Sequence, residues 1–350
     1  MAKSSLVFVG TTEGGYAFEK GKKTWKRRGP FLKKESLSHF AYDKKTRSLY
    51  ASTLTDGVYF SKDLGKTWKS INRGLPIRKT WTIAVNPHDS NNLYVGTHFS
   101  HLFQSKNRGK TWEDTESLYK AEGRKDWGID WTYGTIGNCI HTILPDPKVL
   151  NRIYFVSSLG GPYRSEDGGA TWARIRAGLM ESCPVNNDPK HIEEVHSCTH
   201  RIAFSFSNPE ILYQQNHCGV YRSDSRGESW QDISHGLPDR HGFPIAVHPQ
   251  NDQTVFVIPA YQGKCEKHNS CIQGELAAYR SGDGGRTWER RADGLPKNIH
   301  TCVLRHALSS NAEGVFFGTT TGEVYGSLDE GETWELLGKN LSRVQGVVAV

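Results

Sequence analysis

The sequence contains little hydrophobic material for its length. Only 36% of its 350 residues are hydrophobic, two are Met, and no apolar stretch approaches the length of a membrane span. The first apolar run, residues 6–10, is too short for the hydrophobic region of a signal peptide. We therefore expect no membrane segment and a cytoplasmic protein.

Charge of one sign and clustered cysteine are also missing. The 44 basic and 37 acidic residues give a net charge of +7, and the basic residues are scattered rather than gathered in a patch. This distribution argues against a nucleic-acid surface. The seven cysteines form no paired Cys-x-x-Cys motifs of the kind that bind structural zinc. In a cytoplasmic protein most of them should be reduced.

Glycine, tryptophan and one repeated motif are abundant. The motif Ser-x-Asp-x-Gly-x-Thr-Trp occurs unaltered at 61–68, 165–172, 281–288 and 327–334. Variant copies occur at 105–112 and 223–230, and a degenerate copy ends at Trp25. The Asp can accept hydrogen bonds from backbone N–H groups in a turn, and the Gly supplies a positive φ. The Trp can bury its ring between sheets. We expect these residues to be structural.

The spacing of the motif predicts the fold. Successive Trp residues are 43, 44, 60, 58, 58 and 46 residues apart, which fits one four-stranded sheet per repeat with three longer insertions. The N-terminus supplies three strands of a first sheet, and residues 344–350 supply a lone fourth strand. Pairing the two ends would close a ring. The sequence therefore predicts an all-β, seven-bladed β-propeller that forms a single domain, residues 1–350.

The repeats resemble those of the BNR, or Asp-box, superfamily, which includes sialidases, other glycosidases, sortilin-type receptors and photosystem II assembly factors. Residues 215–224, 242–244 and 315–319 look more specifically like microbial proteins labelled BNR-repeat glycosyl hydrolase or exo-sialidase-like. Sialidases carry an Arg-Ile-Pro motif and three converging Arg, and this chain has no such motif. Arg201 and Arg305 could reach the channel, but no third Arg is evident, and Tyr133 has no acidic partner. True sialidase activity is therefore not expected.

Histidine and cysteine collect on one face of the expected propeller. Twelve of the 15 His and all seven Cys map to loops of that face or to the starts of the innermost strands. His141 and His200 each precede a Tyr of the next strand by 13 residues, so we expect equivalent positions in adjacent blades. Imidazoles from several blades, with thiols nearby, predict a transition-metal site for zinc or copper. The expected ligands are His39, His98, His141, His200, His217 and His300.

Two long connections, 113–138 and 173–199, should form a pocket wall or lid over the same face. Asp130 and Glu194 are the candidate catalytic carboxylates, each able to serve as a general base beside a metal-bound water. The expected substrate contacts are Trp81, Trp131, Arg201 and Arg305. In another loop, Cys265 and Cys271 could form a local disulfide or a second metal clip.

Three functional alternatives follow. The leading hypothesis is a metal-dependent hydrolase or oxidoreductase that acts on a small molecule at the top of the channel. The second is a metal-independent glycosidase that uses loop carboxylates. The third is a non-enzymatic scaffold that binds a protein partner.

Overall fold

The computed structural model describes residues 5–124, 127, 139–180, 183–185, 188–193, 198–262 and 270–350. Seven four-stranded antiparallel sheets surround a central channel, which confirms the all-β, seven-bladed propeller. Within the described residues the only helix is a short 3-10 helix, Glu116–Lys120, and none is long and apolar enough to cross a membrane.

Each blade has its innermost strand at the channel and its outermost strand at the rim. Blade 1 contains β1 (Leu6–Thr11), β2 (Gly14–Lys20) and β3 (Trp25–Phe31), and blade 2 contains β4 (Leu37–Asp43), β5 (Ser48–Thr53), β6 (Val58–Ser61) and β7 (Lys69–Ser70). Blade 3 contains β8 (Thr80–Val85), β9 (Leu93–Thr97), β10 (Leu102–Ser105) and β11 (Glu113–Asp114). Blade 4 contains β12 (Ile140–Pro145), β13 (Ile153–Ser157), β14 (Gly161–Ser165) and β15 (Ala173–Arg174).

The second half of the chain adds three further blades and two small accessory sheets. The hairpin β16 (Cys183–Val185) and β17 (Asp188–Glu193) precedes blade 5, which contains β18 (Thr199–Phe204), β19 (Leu212–Asn216), β20 (Gly219–Ser223) and β21 (Gln231–Asp232). Blade 6 contains β22 (Gly242–Val247), β23 (Val255–Pro259), β26 (Ala278–Ser281) and β27 (Glu289–Arg291). The second accessory sheet contains β24 (Tyr261–Gln262), β25 (Ser270–Gly274) and β28 (Ile299–Thr301). Blade 7 contains β29 (Leu308–Asn311), β30 (Gly314–Gly318), β31 (Val324–Ser327) and β32 (Glu335–Gly338), and the chain ends in β33 (Val344–Ala349).

The two ends of the chain close the ring as expected. β33 pairs antiparallel with β1, with Val9 opposite Val347 and Phe8 opposite Val348. Blade 1 is therefore built from both termini, and its innermost strand is the C-terminal one. Closure thereby gives blade 1 the four strands that the other blades have.

The Asp-box turns follow the mechanism inferred from the motif. In blade 6, Asp283 Oδ1 accepts from the Thr287 N–H at 2.9 Å, and Asp283 Oδ2 accepts from the Thr287 hydroxyl at 2.7 Å. The Gly285 N–H donates to Ser281 Oγ at 2.7 Å, and Gly285 adopts a φ of +94°. The segment thereby supplies hydrogen-bond acceptors for the backbone N–H groups of its own turn, which explains why the motif recurs.

The Asp boxes also join neighbouring blades. The Trp288 indole Nε1–H donates to the carbonyl oxygen of Ile233 in blade 5 at 2.7 Å. A Cβ on Gly285 would lie 2.3 Å from Ile233 Cδ1, so the glycine admits that side chain. Trp112 and Trp230 make the same bond to a preceding blade. The apolar core accordingly lies between adjacent sheets.

Blade 7 departs from the sequence-based assignment. The segment around His300 was expected to begin the innermost strand of this blade, but it forms β28 and pairs with β25 of the accessory sheet. The innermost strand is β29, which begins at Leu308. The residues of β28 alternate between apolar and polar as those of a blade strand do, so the sequence did not distinguish β28 from the innermost strand of blade 7.

Candidate functional site

Six of the seven innermost strands have a β-bulge at the end where they begin, which we call the top of the channel. Thr80 pairs with Thr97 and Thr82 with Gly96, so Trp81 has no partner residue in β9. The register shifts in the same way at His141 and His200, and β22 passes over Phe243. A bulge re-aims a side chain and is common beside functional sites. The expected equivalence of His141 and His200 is thereby confirmed.

These bulged residues meet around one cation, Arg305, which lies three residues before β29. Its guanidinium carbon is 5.5 Å from the centre of the Trp81 ring and 5.6 Å from the centre of the Phe243 ring. Arg305 is half-buried, and its Nε is buried without a hydrogen-bond partner. With the other residues that the structure describes it forms no ion pair. We call Trp81, His141, His200, Phe243 and Arg305 the mouth residues.

The thiols and the imidazole next to Arg305 are uncharged. Burial raises the pKa of the Cys139 thiol to about 12 and that of the Cys198 thiol to about 11, although the nearby Arg305 opposes both shifts. Cys139 Sγ lies 3.5 Å from His141 Nδ1, and His141 is fully buried with its ring edge-on to Trp81. Burial, reinforced by Arg305, lowers the pKa of His141 well below 6.5. Neither thiols nor imidazoles therefore balance the charge of Arg305.

Three imidazoles form a second cluster on one side of the mouth. The ring centres of His200 and His217 are 5.8 Å apart, those of His200 and His241 5.5 Å, and those of His217 and His241 4.5 Å. His200 Nδ1 lies 2.6 Å from the Gly242 carbonyl oxygen, and His241 Nδ1 lies 3.2 Å from the His217 carbonyl oxygen. A carbonyl only accepts, so each Nδ1 carries the proton. Burial lowers the pKa of both rings, to about 3 for His241, and their Nε2 atoms therefore keep free lone pairs.

One residue further along the innermost strands, a layer of polar side chains spans the channel. Arg201 Nη1 donates to the carbonyl oxygens of Arg305 and Leu308 at 2.7 and 2.8 Å. The rings of His39 and His306 are in contact, tilted by 33° with centres 4.2 Å apart, and His306 Nε2 donates to the His141 carbonyl oxygen at 2.6 Å. His306 is one of the three histidines that the sequence did not map to the top face, yet its ring lies in this layer. This layer ties together blades that have no strand pairing between them.

The charges that the described residues place near the mouth are all positive. Burial lowers the pKa of His39, His98 and Arg305, and nearby cations, respectively Arg201, Lys79 and Arg343, lower it further. Across the described ranges, no carboxylate is among the main charges acting on Arg201, Arg305 or the neighbouring histidines. Among the described residues, the positive charge at the top of the channel is therefore not compensated.

The other sequence-predicted residues are divided between the mouth and its surroundings. His98 is half-buried next to the mouth, bridged to Cys139 through the backbone and packed on Phe99. His300 is exposed on β28. Asp130, Trp131, Tyr133, Glu194 and Cys265 lie outside the described residues, as does the side chain of Cys271. Cys139 and Cys198 carry thiols, whereas Cys218 is disulfide-bonded.

The sequence-based search passed over Phe243 and His241. Phe243 precedes Phe256 of β23 by 13 residues, the interval that His141 and His200 keep to their Tyr residues, so this spacing could have identified it. His241 had no such signal, because it lies in the connection before β22. Within the part of the chain that the structure describes, no three His, Cys, Asp or Glu side chains are placed to hold one metal ion.

Comparison with known proteins agrees with this architecture. The BNR-Asp box repeat model matches residues 102–115. The xyloglucanase Xgh74A of Acetivibrio thermocellus is 25% identical over 221 residues, which cover 56% of this chain and 24% of the relative. This chain therefore spans about a quarter of the length of the relative.

Solved structures share the fold at low identity. An ancestral GH74 enzyme superposes with a TM-score of 0.62 at 18% identity, over 90% of this chain and 38% of the other. The GH74 enzyme of Niastella koreensis gives 0.58 at 15% identity, over 97% and 65%. YCF48 bound to D1 peptide gives 0.52 at 17% identity, over 88% and 90%. The chain thus carries BNR-Asp box repeats on a propeller like those of GH74 enzymes, and these likenesses show the fold alone.

Proposed function

We propose that this propeller is a glycoside hydrolase-like protein that binds a saccharide at the top of its channel. The observation that carries the proposal is the mouth itself, where the half-buried rings of Trp81 and Phe243 flank the half-buried Arg305. Ligand sites are concave, mostly apolar and aromatic, with a few placed polar groups. The ring faces would pack on the C–H faces of a sugar, and the guanidinium would orient it.

Hydrolysis of a glycosidic bond ordinarily needs two carboxyl groups, one as acid and one as base or nucleophile. The mouth residues include none, so the carboxylates would come from the connections that lead into β12 and β18. Glu194 precedes His200 by six residues and Asp130 precedes His141 by eleven. Those separations correspond to reaches of about 20 and 40 Å at full extension. We therefore assign Asp130 and Glu194 as the candidate acid and base.

The test is the release of reducing ends from xyloglucan and other β-glucan oligosaccharides. We expect Asp130→Asn and Glu194→Gln each to reduce turnover by at least about a hundredfold while binding is kept, since general acid–base catalysis contributes roughly 10²–10⁴-fold. Glu228→Gln, on the exposed Asp-box face, is the matched control and should remain active. Failure to hydrolyse any oligosaccharide, or full activity in both loop variants, would contradict the assignment.

A second candidate is the metal-dependent enzyme expected from the histidines. His200 and His241 each fix Nδ1 on a backbone carbonyl and leave Nε2 available, which is the outer-shell arrangement of metal-binding histidines. A zinc or copper ion there would need further ligands from His217, water or other segments, and it would supply Lewis acidity. Elemental analysis of protein never exposed to chelator tests this, because His200→Ala with His241→Ala should remove a stoichiometric metal. Protein without such a metal would exclude this candidate.

A protein partner is the third alternative. YCF48 bound to D1 peptide covers a similar length of chain and shares the fold. If the mouth were a peptide site, the unaltered protein would bind a peptide and show no detectable binding of oligosaccharides. Trp81→Ala would then weaken binding of the peptide.

A further inference from the structure

Arg305 is a cation without a counter-charge in the part of the protein that the structure describes. We infer that Arg305 binds a carboxylate of the ligand, so that the saccharide recognised at the mouth is an acidic one, such as a uronate. This inference rests on the proposed function in one respect, namely that a saccharide occupies the mouth.

The first step is the cost of the unpaired charge. A charged group removed from water is unfavourable unless a partner of opposite charge or hydrogen-bond acceptors compensate it. The neighbouring thiols of Cys139 and Cys198 and the imidazoles of His141 and His200 are neutral, and the remaining charges, Arg201 and Arg343, are positive. A ligand anion would supply the missing compensation.

The second step is the way in which Arg305 is held. The backbone carbonyls of Arg305 and Leu308 are fixed by Arg201 Nη1, so Arg201 positions the segment rather than pairing with an acid. The guanidinium rests within cation–π distance of two rings, and its terminal nitrogens form no hydrogen bond with the described residues. Those nitrogens present the planar fork that binds a carboxylate through two parallel hydrogen bonds.

The third step is the choice of ligand class. Phosphate sites commonly use helix N-termini or glycine-rich loops, whereas the residues around Arg305 at the mouth belong to strands and have large side chains. Aromatic rings beside a single guanidinium suit a ring-shaped ligand that carries one negative charge. A sugar acid meets both requirements, whereas a free small carboxylate would use Arg305 and leave the rings of Trp81 and Phe243 uncovered.

The experiment compares trigalacturonate with its methyl ester, which has the same shape without the charge. Binding to the full chain is measured by calorimetry, with the intrinsic tryptophan fluorescence as a second readout. We expect the acid to bind at least about tenfold more tightly than the ester, a difference that weakens with added salt. Arg305→Gln should remove the preference by weakening binding of the acid far more than binding of the ester, and Arg305→Lys should restore the preference in part. Arg343→Gln, an exposed cation nearby, is the control and should keep most of the preference.

Several outcomes would overturn the inference. Equal binding of acid and ester, or a preference that survives Arg305→Gln in a folded variant, would show that Arg305 recognises no carboxylate. Equal binding of acetate and trigalacturonate would make the ligand a small acid instead of a saccharide. A preference that emerges only in the Asp130→Asn or Glu194→Gln variant would mean that a loop carboxylate already neutralises Arg305. Hydrolysis of neutral oligosaccharides with no acid preference would overturn this inference alone, whereas failure to bind any saccharide would remove the proposed function as well.

Discussion

Mild acid should destabilise this protein through the histidines buried near the mouth. His141, His200 and His241 are at least 97% buried, and burial lowers the pKa of each imidazole below its unfolded value near 6.5. Below pH 6.5 these imidazoles are therefore protonated in the unfolded chain and remain neutral in the folded chain. Stability from these groups is present above pH 6.5 and is lost as the pH falls from 6.5 toward the folded pKa, about 3 for His241.

The size of the effect follows from that linkage. Between pH 7 and pH 5 each such histidine should cost about 2 kcal/mol of unfolding free energy, so the three together should cost roughly 6 kcal/mol. Urea unfolding followed by tryptophan fluorescence at pH 7, 6 and 5 measures the loss. Carboxyl groups contribute little in this window, because the low pKa values of the Asp-box carboxyls, about 2 for Asp167 and Asp283, place their loss at more acid pH.

A variant tests the cause. His241→Gln removes one buried imidazole and should reduce the loss between pH 7 and pH 5 by about 2 kcal/mol. Ile245→Val, at a fully buried position of β22, is the matched control, since it should lower stability by a similar amount at every pH. If His241→Gln unfolds with the full pH dependence of the unaltered protein, the buried imidazoles are not the origin of the acid sensitivity.

Three further predictions concern the blades. Deletion of 344–350 removes the innermost strand of blade 1, so the thermal midpoint should fall, and an unchanged midpoint would contradict closure by β33. Trp112→Ala should cost about 3–5 kcal/mol in urea unfolding through loss of a buried ring and its bond to Ile71, with activity per folded molecule retained; selective loss of activity would move the site to the Asp-box face. Gly285→Ala should cost about 1–3 kcal/mol, because its φ is +94° and the added Cβ meets Ile233. Gly282→Ala, with no heavy atom within 4 Å of the added Cβ, should be nearly neutral by the same measurement.

The disulfide at Cys218 bears on the compartment. The sequence led us to expect a cytoplasmic protein, in which stable disulfides are rare. A bond at Cys218 that persists in the native protein would argue against that expectation. Mass spectrometry of protein alkylated before and after reduction would decide, because an accessible Cys218 thiol in native protein would support the cytoplasmic expectation.

The site was predictable only where it follows the repeat. His141 and His200 share a spacing to the next strand, and the structure places both at equivalent bulges. His300 was misplaced because an accessory sheet interrupts the path from blade 6 to blade 7. His306 and His241, which lie next to the mouth residues, were not among the predicted site residues, since neither lies at a repeated interval.

The amino-acid sequence by itself determined the number of blades, the Asp-box turns and the closure of the ring. Each of these depends on local hydrogen bonds or on a periodic pattern, such as Ser281 with Asp283 and Gly285, that repeats along the chain. Only the tertiary structure decided that Arg305 lies between Trp81 and Phe243 without a counter-charge among the described residues. Trp81 and Phe243 lie at bulges of blades 3 and 6, and Arg305 lies in the segment that leads into blade 7, so the three meet only in the folded ring. The net charge at the mouth depends on residues from several blades, so it cannot be read from any single stretch of the sequence.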